Sequence, residues 1–65
     1  MTASYNYAVF HKGTDGQFRI IARYKIRRYA IEHADDFARY HYGRVIVRSS
    51  SLTTVWDSER EGIAA

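Results

Sequence analysis

Two alternating runs, Tyr5 to Lys12 and Phe18 to Ile26, meet across Gly13-Thr14-Asp15-Gly16, and this junction constrains the chain more than any other stretch. Asp-Gly accepts positive φ at low cost and is the strongest short-range hairpin signal. Tyr, Val, Phe and Ile recur in both runs, as strands favour. Alternate side chains share a face of a strand. A two-residue loop, whether Thr14-Asp15 or Asp15-Gly16, places Tyr5, Tyr7, Val9 and His11 beside Phe18, Ile20, Ala22, Tyr24 and Ile26. Asn6, Ala8, Phe10 and Lys12 then join Arg19, Ile21, Arg23 and Lys25 on the other side. The first face suits a core, and the second, basic face points outward.

Arg27 to Tyr42 carries Ala30, Ala34, Phe37, Ala38 and His41 on one helical stripe, and Gly43 is placed for a left-handed C-cap. Neither Ser, Thr, Asp nor Asn caps the start, and Arg27 and Arg28 oppose the macrodipole there, so the helix is expected to begin later. Arg28–Glu32 and Asp35–Arg39 have pairing spacings. RVIVRSS and LTTVWDS, either side of Ser50-Ser51, form a second hairpin. Val45, Val47, Leu52 and Trp56 are expected to point inward; Arg44, Ile46, Arg48, Thr53, Val55 and Asp57 outward. Ser58 to Glu61 has a capping-box spacing but reads as a frayed turn.

The order ββαββ predicts a single small α+β domain over residues 1–65, frayed at 1–4 and 59–65. Its sheet has four mainly antiparallel strands in spatial order 2-1-3-4, with one helix packed on one face. The expected core is Tyr7, Val9, Phe18, Ile20, Ala22, Ala34, Phe37, Val45, Val47 and Trp56. Ile20 inside and Arg19 outside is the test of the strand parity.

A chain of 65 residues buries only about 60% of the surface that it exposes when unfolded. With no cysteine, neither disulfides nor Cys-ligated metal supplement the core. No apolar run approaches the roughly 18 residues that span a bilayer, and MTASYNYAVF lacks the features of a signal peptide. The expectation is a cytoplasmic protein without membrane contact. The ten basic residues comprise eight Arg and two Lys, within a net charge of +3. Arg offers a planar fork for phosphate or carboxylate and stacks on aromatic rings.

Catalytic chemistry has little support in the sequence. His33 and Asp36 could share a helix face, but His41 is about two turns on and cannot close the same metal site. Ser49, Ser50 and Ser51 form a turn cluster without an identifiable base. Gly13 and Gly16 flank a hairpin rather than opening a helix, so there is no phosphate loop. The chain reads as a non-enzyme with no cofactor and no metal.

The outer face carries the functional expectation. Phe10, Ile21, Ile46 and Val55 form an apolar stripe bordered by Arg19, Arg23, Arg44 and Arg48, and Lys25 extends the basic rim. Apolar stripes rimmed by charge mark interaction surfaces. One aromatic on the face, with aliphatic neighbours, suits protein better than bases, since RNA-binding sheets display two or three aromatics.

In rhythm and length, about the first two-thirds of the chain resembles the small phage-encoded inhibitors of host RNA polymerase and the compact α+β anti-CRISPR proteins. No diagnostic motif is shared, so no residue role carries over. The arm domain of phage integrases, which binds DNA, is similar but places three strands before its helix. The leading expectation is a non-catalytic protein that binds and occludes a macromolecular partner. Its concrete version is a phage or mobile-element inhibitor of a host machine such as a CRISPR complex or RNA polymerase. The alternative is sequence-tolerant nucleic-acid binding through the Arg-rich face. A weak homodimer through the same face or an edge strand is also expected.

Overall fold

The computed structural model describes residues 6–59 and has the expected α+β architecture. Strands β1 (Tyr7–Lys12) and β2 (Phe18–Tyr24) precede helix α1 (Arg27–Tyr40), and β3 (Val45–Ser49) and β4 (Thr54–Asp57) follow it. They form one antiparallel sheet in the order β2-β1-β3-β4. The expected fraying at 1–4 and, apart from Glu59, at 59–65, a strand start at Tyr5, and the second half of the Ser58–Glu61 turn lie outside the described residues. No helix among the described residues is long and apolar enough to cross a membrane.

The helix covers one face because its small residues allow close approach. Ala30 and Ala34 are fully buried with Val9, Val45 and Val47, and Tyr7, Ala22, Phe37 and Trp56 pack around them. Helix α1 starts at Arg27, contrary to the later start expected. Ile26 caps it in an extended conformation with no side-chain hydrogen bond, and its first turn contains no acid. At the other end the His41 N–H donates to the Phe37 carbonyl at 3.1 Å. Gly43 adopts φ +105°, as foreseen, but two residues beyond the helix cap. There it lies so close to β1 that an added Cβ would stand 2.4 Å from the Lys12 carbonyl oxygen. Asp35–Arg39 pair at 3.0 Å. Arg28 instead turns to the Tyr29 hydroxyl, leaving the expected pair with Glu32 unmade.

The first hairpin differs from expectation in its loop length. The Gly13 N–H donates to the Gln17 carbonyl at 2.9 Å, and the Gly16 N–H to the Gly13 carbonyl at 3.0 Å, closing a three-residue loop, Thr14-Asp15-Gly16. Gly16 occupies its positive-φ position, φ +83°. A third loop residue shifts every following pair by one. Lys12 faces Phe18, His11 faces Arg19 and Phe10 faces Ile20. Phe18 and Ile20, expected in the core, are therefore 40% and 44% exposed on the outer face. Arg19 moves to the helix side of the sheet, at its margin, where it is exposed and paired with Asp15.

A bulge at Ile21 then restores the expected parity. Val9 faces Ala22 and Tyr7 faces Tyr24, while Ile21, the extra residue, packs against the core. The second hairpin repeats the device. Ser49 and Thr53 close the loop Ser50-Ser51-Leu52, and Leu52 occupies the positive-φ position, φ +66°. Trp56 faces Val47 and Thr54 faces Arg48, with Val55 as the extra residue, packed against the core. Three outward or inward assignments change as a result: Val55 turns inward, Thr54 replaces Thr53 outside, and Leu52 is 72% exposed at the turn. Asp57 keeps its outward face but is buried there rather than solvated.

Candidate functional site: the open face of the sheet

The face without a helix is ordered in rows, because side chains opposite each other on paired strands share a face. One row runs Ile20–Phe10–Ile46–Asp57 across β2, β1, β3 and β4. The next, toward the start of β1, runs Arg23–Ala8–Arg48–Thr54. On the other side of the Phe10 row, Phe18 faces Lys12, whose ammonium lies 5.9 Å from the Phe18 ring centre. Arg48 stands over Phe10, its guanidinium carbon 5.9 Å from the ring centre.

Of the residues expected at the site, Phe10, Arg23, Ile46 and Arg48 are brought together on this face. Ile46, between Phe10 and Asp57, is only 9% exposed and serves as floor. Arg44 is on the face but committed. Its guanidinium makes a bidentate ion pair with Asp57, whose side chain is 6% exposed, and Glu59 approaches to 3.8 Å. This carboxylate raises the Arg44 pKa above its ordinary value. Arg19, in β2 on the helix side, reaches back to the loop, where it clamps Asp15 through two oxygens. Together with the Gln17 N–H, it holds the Asp15 carboxyl at a pKa of about 2. Lys25 lies past the end of β2. Ile21 and Val55 are absent from the face because the two bulges turn them against the core.

Phe18, Ile20 and Leu52 are residues of this surface that strand parity places inside, whereas Lys12 lies on the outer face as expected. Consecutive apolar residues, Ile20-Ile21-Ala22 and Val55-Trp56, were the available signal. Successive apolar residues in an edge strand are a place where a bulge can turn both toward the core, although Val45-Ile46-Val47 in β3 keeps regular alternation.

The ion pairs divide the basic residues by position. Arg19, Arg39 and Arg44 have carboxylate partners. Lys12, Arg23, Lys25, Arg27, Arg28 and Arg48 make no ion pair among the described residues. Apart from Lys12, these lie toward the end of the sheet where β1 begins and α1 starts.

The histidines have structural surroundings. His33 Nδ1 is 2.6 Å from the Tyr24 hydroxyl. His11 Nε2 donates to the Tyr42 carbonyl at 2.6 Å, and its ring meets Phe37 edge-on. His41 stacks on Phe37 at 3.8 Å. Among the described residues, no three of His, Asp and Glu are grouped to hold a metal.

Compared with protein-family models, with curated proteins and with solved structures, the chain finds no match in any of the three.

Proposed function

We propose that the protein is a non-catalytic binding module that holds single-stranded nucleic acid on the open face of its sheet. The supporting observation is the pair Phe10 and Phe18 on adjacent strands of one face, flanked by Lys12, Arg23 and Arg48 without ion pairs. Aromatic rings stack on bases whatever their identity, and flanking cations follow the phosphates. With Phe10 as the face's only aromatic, protein would be the better partner. The three-residue loop adds Phe18, and the bulges remove Ile21 and Val55, so the balance moves to bases.

Fluorescence anisotropy with unstructured DNA and RNA oligonucleotides at two salt concentrations tests this reading. Log affinity should fall by about 0.7 per tenfold salt for each phosphate neutralised. Phe10→Ala and Phe18→Ala should each weaken binding roughly 5- to 150-fold, the range for loss of one stacked base. Absence of binding at low salt, or binding indifferent to both substitutions, refutes it.

Occlusion of a protein partner is the second reading, favoured by Ile20, 44% exposed in the row beside Phe10. A phage or mobile-element inhibitor of a CRISPR complex or RNA polymerase is its concrete form, and weak self-pairing would cover the same row. Under this reading Ile20→Asp abolishes capture of the protein, or dimerisation on sedimentation, while oligonucleotides do not bind.

A further inference from the structure

At the end of the open face where β3 turns into β4, a shallow cleft of about 140 Å³ lies over Ala8, with Arg23 and Arg48 among its lining residues. We propose that this cleft seats one phosphoryl group, gripped by Arg23 and Arg48 from opposite sides. The inference deepens the nucleic-acid reading, and rests on it for the identity of the phosphate's carrier.

Register places the two arginines. Ala8 faces Arg23 on β2 and Arg48 on β3, so one methyl group separates them. Neighbouring strands are about 4.8 Å apart, which sets the two Cα atoms roughly 10 Å from each other. Extended guanidiniums can close on one anion from that separation. A larger residue at position 8 would fill the floor between them.

The electrostatics favour an anion. No acidic residue lines the cleft, and Asn6 and Ser50 supply neutral polar groups. Neither arginine has a carboxylate partner among the described residues, in contrast to Arg19 and Arg44. Arg48 is also held in place, over the Phe10 ring, with its Nε buried and lacking any hydrogen-bond partner. A buried guanidinium N–H without an acceptor is costly, and a turn of the Arg48 side chain toward a ligand oxygen in the cleft would relieve it. Leu52 lines the same cleft, 72% exposed in a backbone conformation that L-residues avoid. Two forks and neutral donors around a small site match a tetrahedral oxyanion with several acceptor oxygens.

The test uses inorganic phosphate, with acetate as the carboxylate control, titrated into the 15N-labelled full chain. Saturable shifts of the Arg23 and Arg48 Nε–H signals and of the Ser50 amide are expected with phosphate, with at least fivefold weaker acetate binding. Arg48→Gln should reduce phosphate affinity at least fivefold. Arg23, being exposed, can be changed to Gln with the fold kept, so Arg23→Gln must give the same loss if the Arg48 variant does not fold. Arg39→Gln, paired with Asp35 on the helix, should change nothing.

In oligonucleotide titrations, either cleft variant should lower the salt slope by about 0.7, one phosphate's share. Preference for a 5′-phosphorylated over a 5′-hydroxyl oligonucleotide identifies a terminal phosphate, and equal affinity an internal phosphodiester; both support the seat. Phosphate shifts scattered over the surface, or unchanged in Arg23→Gln, overturn the seat even if oligonucleotides still bind through Phe10 and Phe18. Phosphate binding confined to the cleft, without oligonucleotide binding, overturns the platform and leaves the seat standing.

Discussion

The two hairpins are built alike, and their difference lies in where the bulge falls. Each has a three-residue loop with a positive-φ residue at its third position, and each returns through an edge strand carrying one extra residue. In the first, Phe18, Arg19 and Ile20 lie between the loop exit and the bulge at Ile21. In the second, only Thr54 separates the exit residue Thr53 from the bulge at Val55. The stretch between loop and bulge has inverted faces, so its length sets what the hairpin presents. The first turns out Phe18 and Ile20, and the second a threonine. A register device thereby becomes a device for displaying apolar surface. The bulges also twist both edge strands, which discourages edge-to-edge pairing.

The largest effect is expected where the hairpins meet. Gly43 leads into β3 while lying on β1, and its added Cβ would approach the Lys12 carbonyl oxygen to 2.4 Å and His11 Nε2 to 2.9 Å. Gly43→Ala should cost about 3 kcal/mol in urea denaturation, combining backbone strain with overlap. A loss below about 1 kcal/mol would mean that the second hairpin is not seated on the first as described.

The ion pairs sharpen the contrast next. Asp57 is buried, accepts two bonds from Arg44 and also accepts the Glu59 N–H at 3.1 Å. Asp57→Asn should destabilise by about 2 kcal/mol. The exposed Asp15–Arg19 pair is expected to differ in degree, with Asp15→Asn lowering the urea midpoint at neutral pH clearly less than Asp57→Asn does. Equal losses from both substitutions would erase this distinction.

The loop residues offer a reciprocal swap. Leu52 is mostly exposed and has little packing to lose, so Leu52→Gly should gain about 1 kcal/mol by relieving the left-handed backbone. Gly16 has open space around its would-be Cβ, so Gly16→Ala should lose about 1 kcal/mol for the backbone alone. Thermal unfolding of both variants checks the signs. A destabilised Leu52→Gly would assign Leu52 packing that its exposure does not suggest.

The smallest effect is on pH dependence. Asp15 titrates near 2 in the fold against 3.8 for the unperturbed group, chiefly because it accepts bonds from Arg19. Between these values the unfolded chain binds more protons, so the contribution is present above about 3.8 and fades as pH falls toward 2. Wild type and Asp15→Asn should therefore converge in stability at the acid end of a pH series. A gap that widened toward low pH would contradict the sign.

Much of this molecule was legible beforehand. Alternation located the strands, the Ala30–Ala34–Phe37 stripe located the covering face of the helix, and antiparallel neighbours yielded the order β2-β1-β3-β4. Of the open face, Phe10, Arg23, Ile46 and Arg48 were legible because they belong to β1 and β3, or to the part of β2 beyond its bulge. The inverted stretch of β2 was not. Thr14-Asp15-Gly16 accommodates either a two-residue turn or a three-residue loop with Gly16 in the left-handed position. Those alternatives differ by one residue in register, and a one-residue slip reverses every face.

The sequence by itself therefore determined which segments are strands and helix, and how they neighbour one another, since periodicity and chain order act over short range. Tertiary structure decided which residues of the edge strands face out. Burying both Ile21 and Ala22 against the core, and both Val55 and Trp56 beside Val47, is possible only with a bulge at each position. That choice depends on apolar area removed from water between distant segments, which no local pattern encodes. Its consequence is Phe18 and Ile20 on the open face beside Phe10.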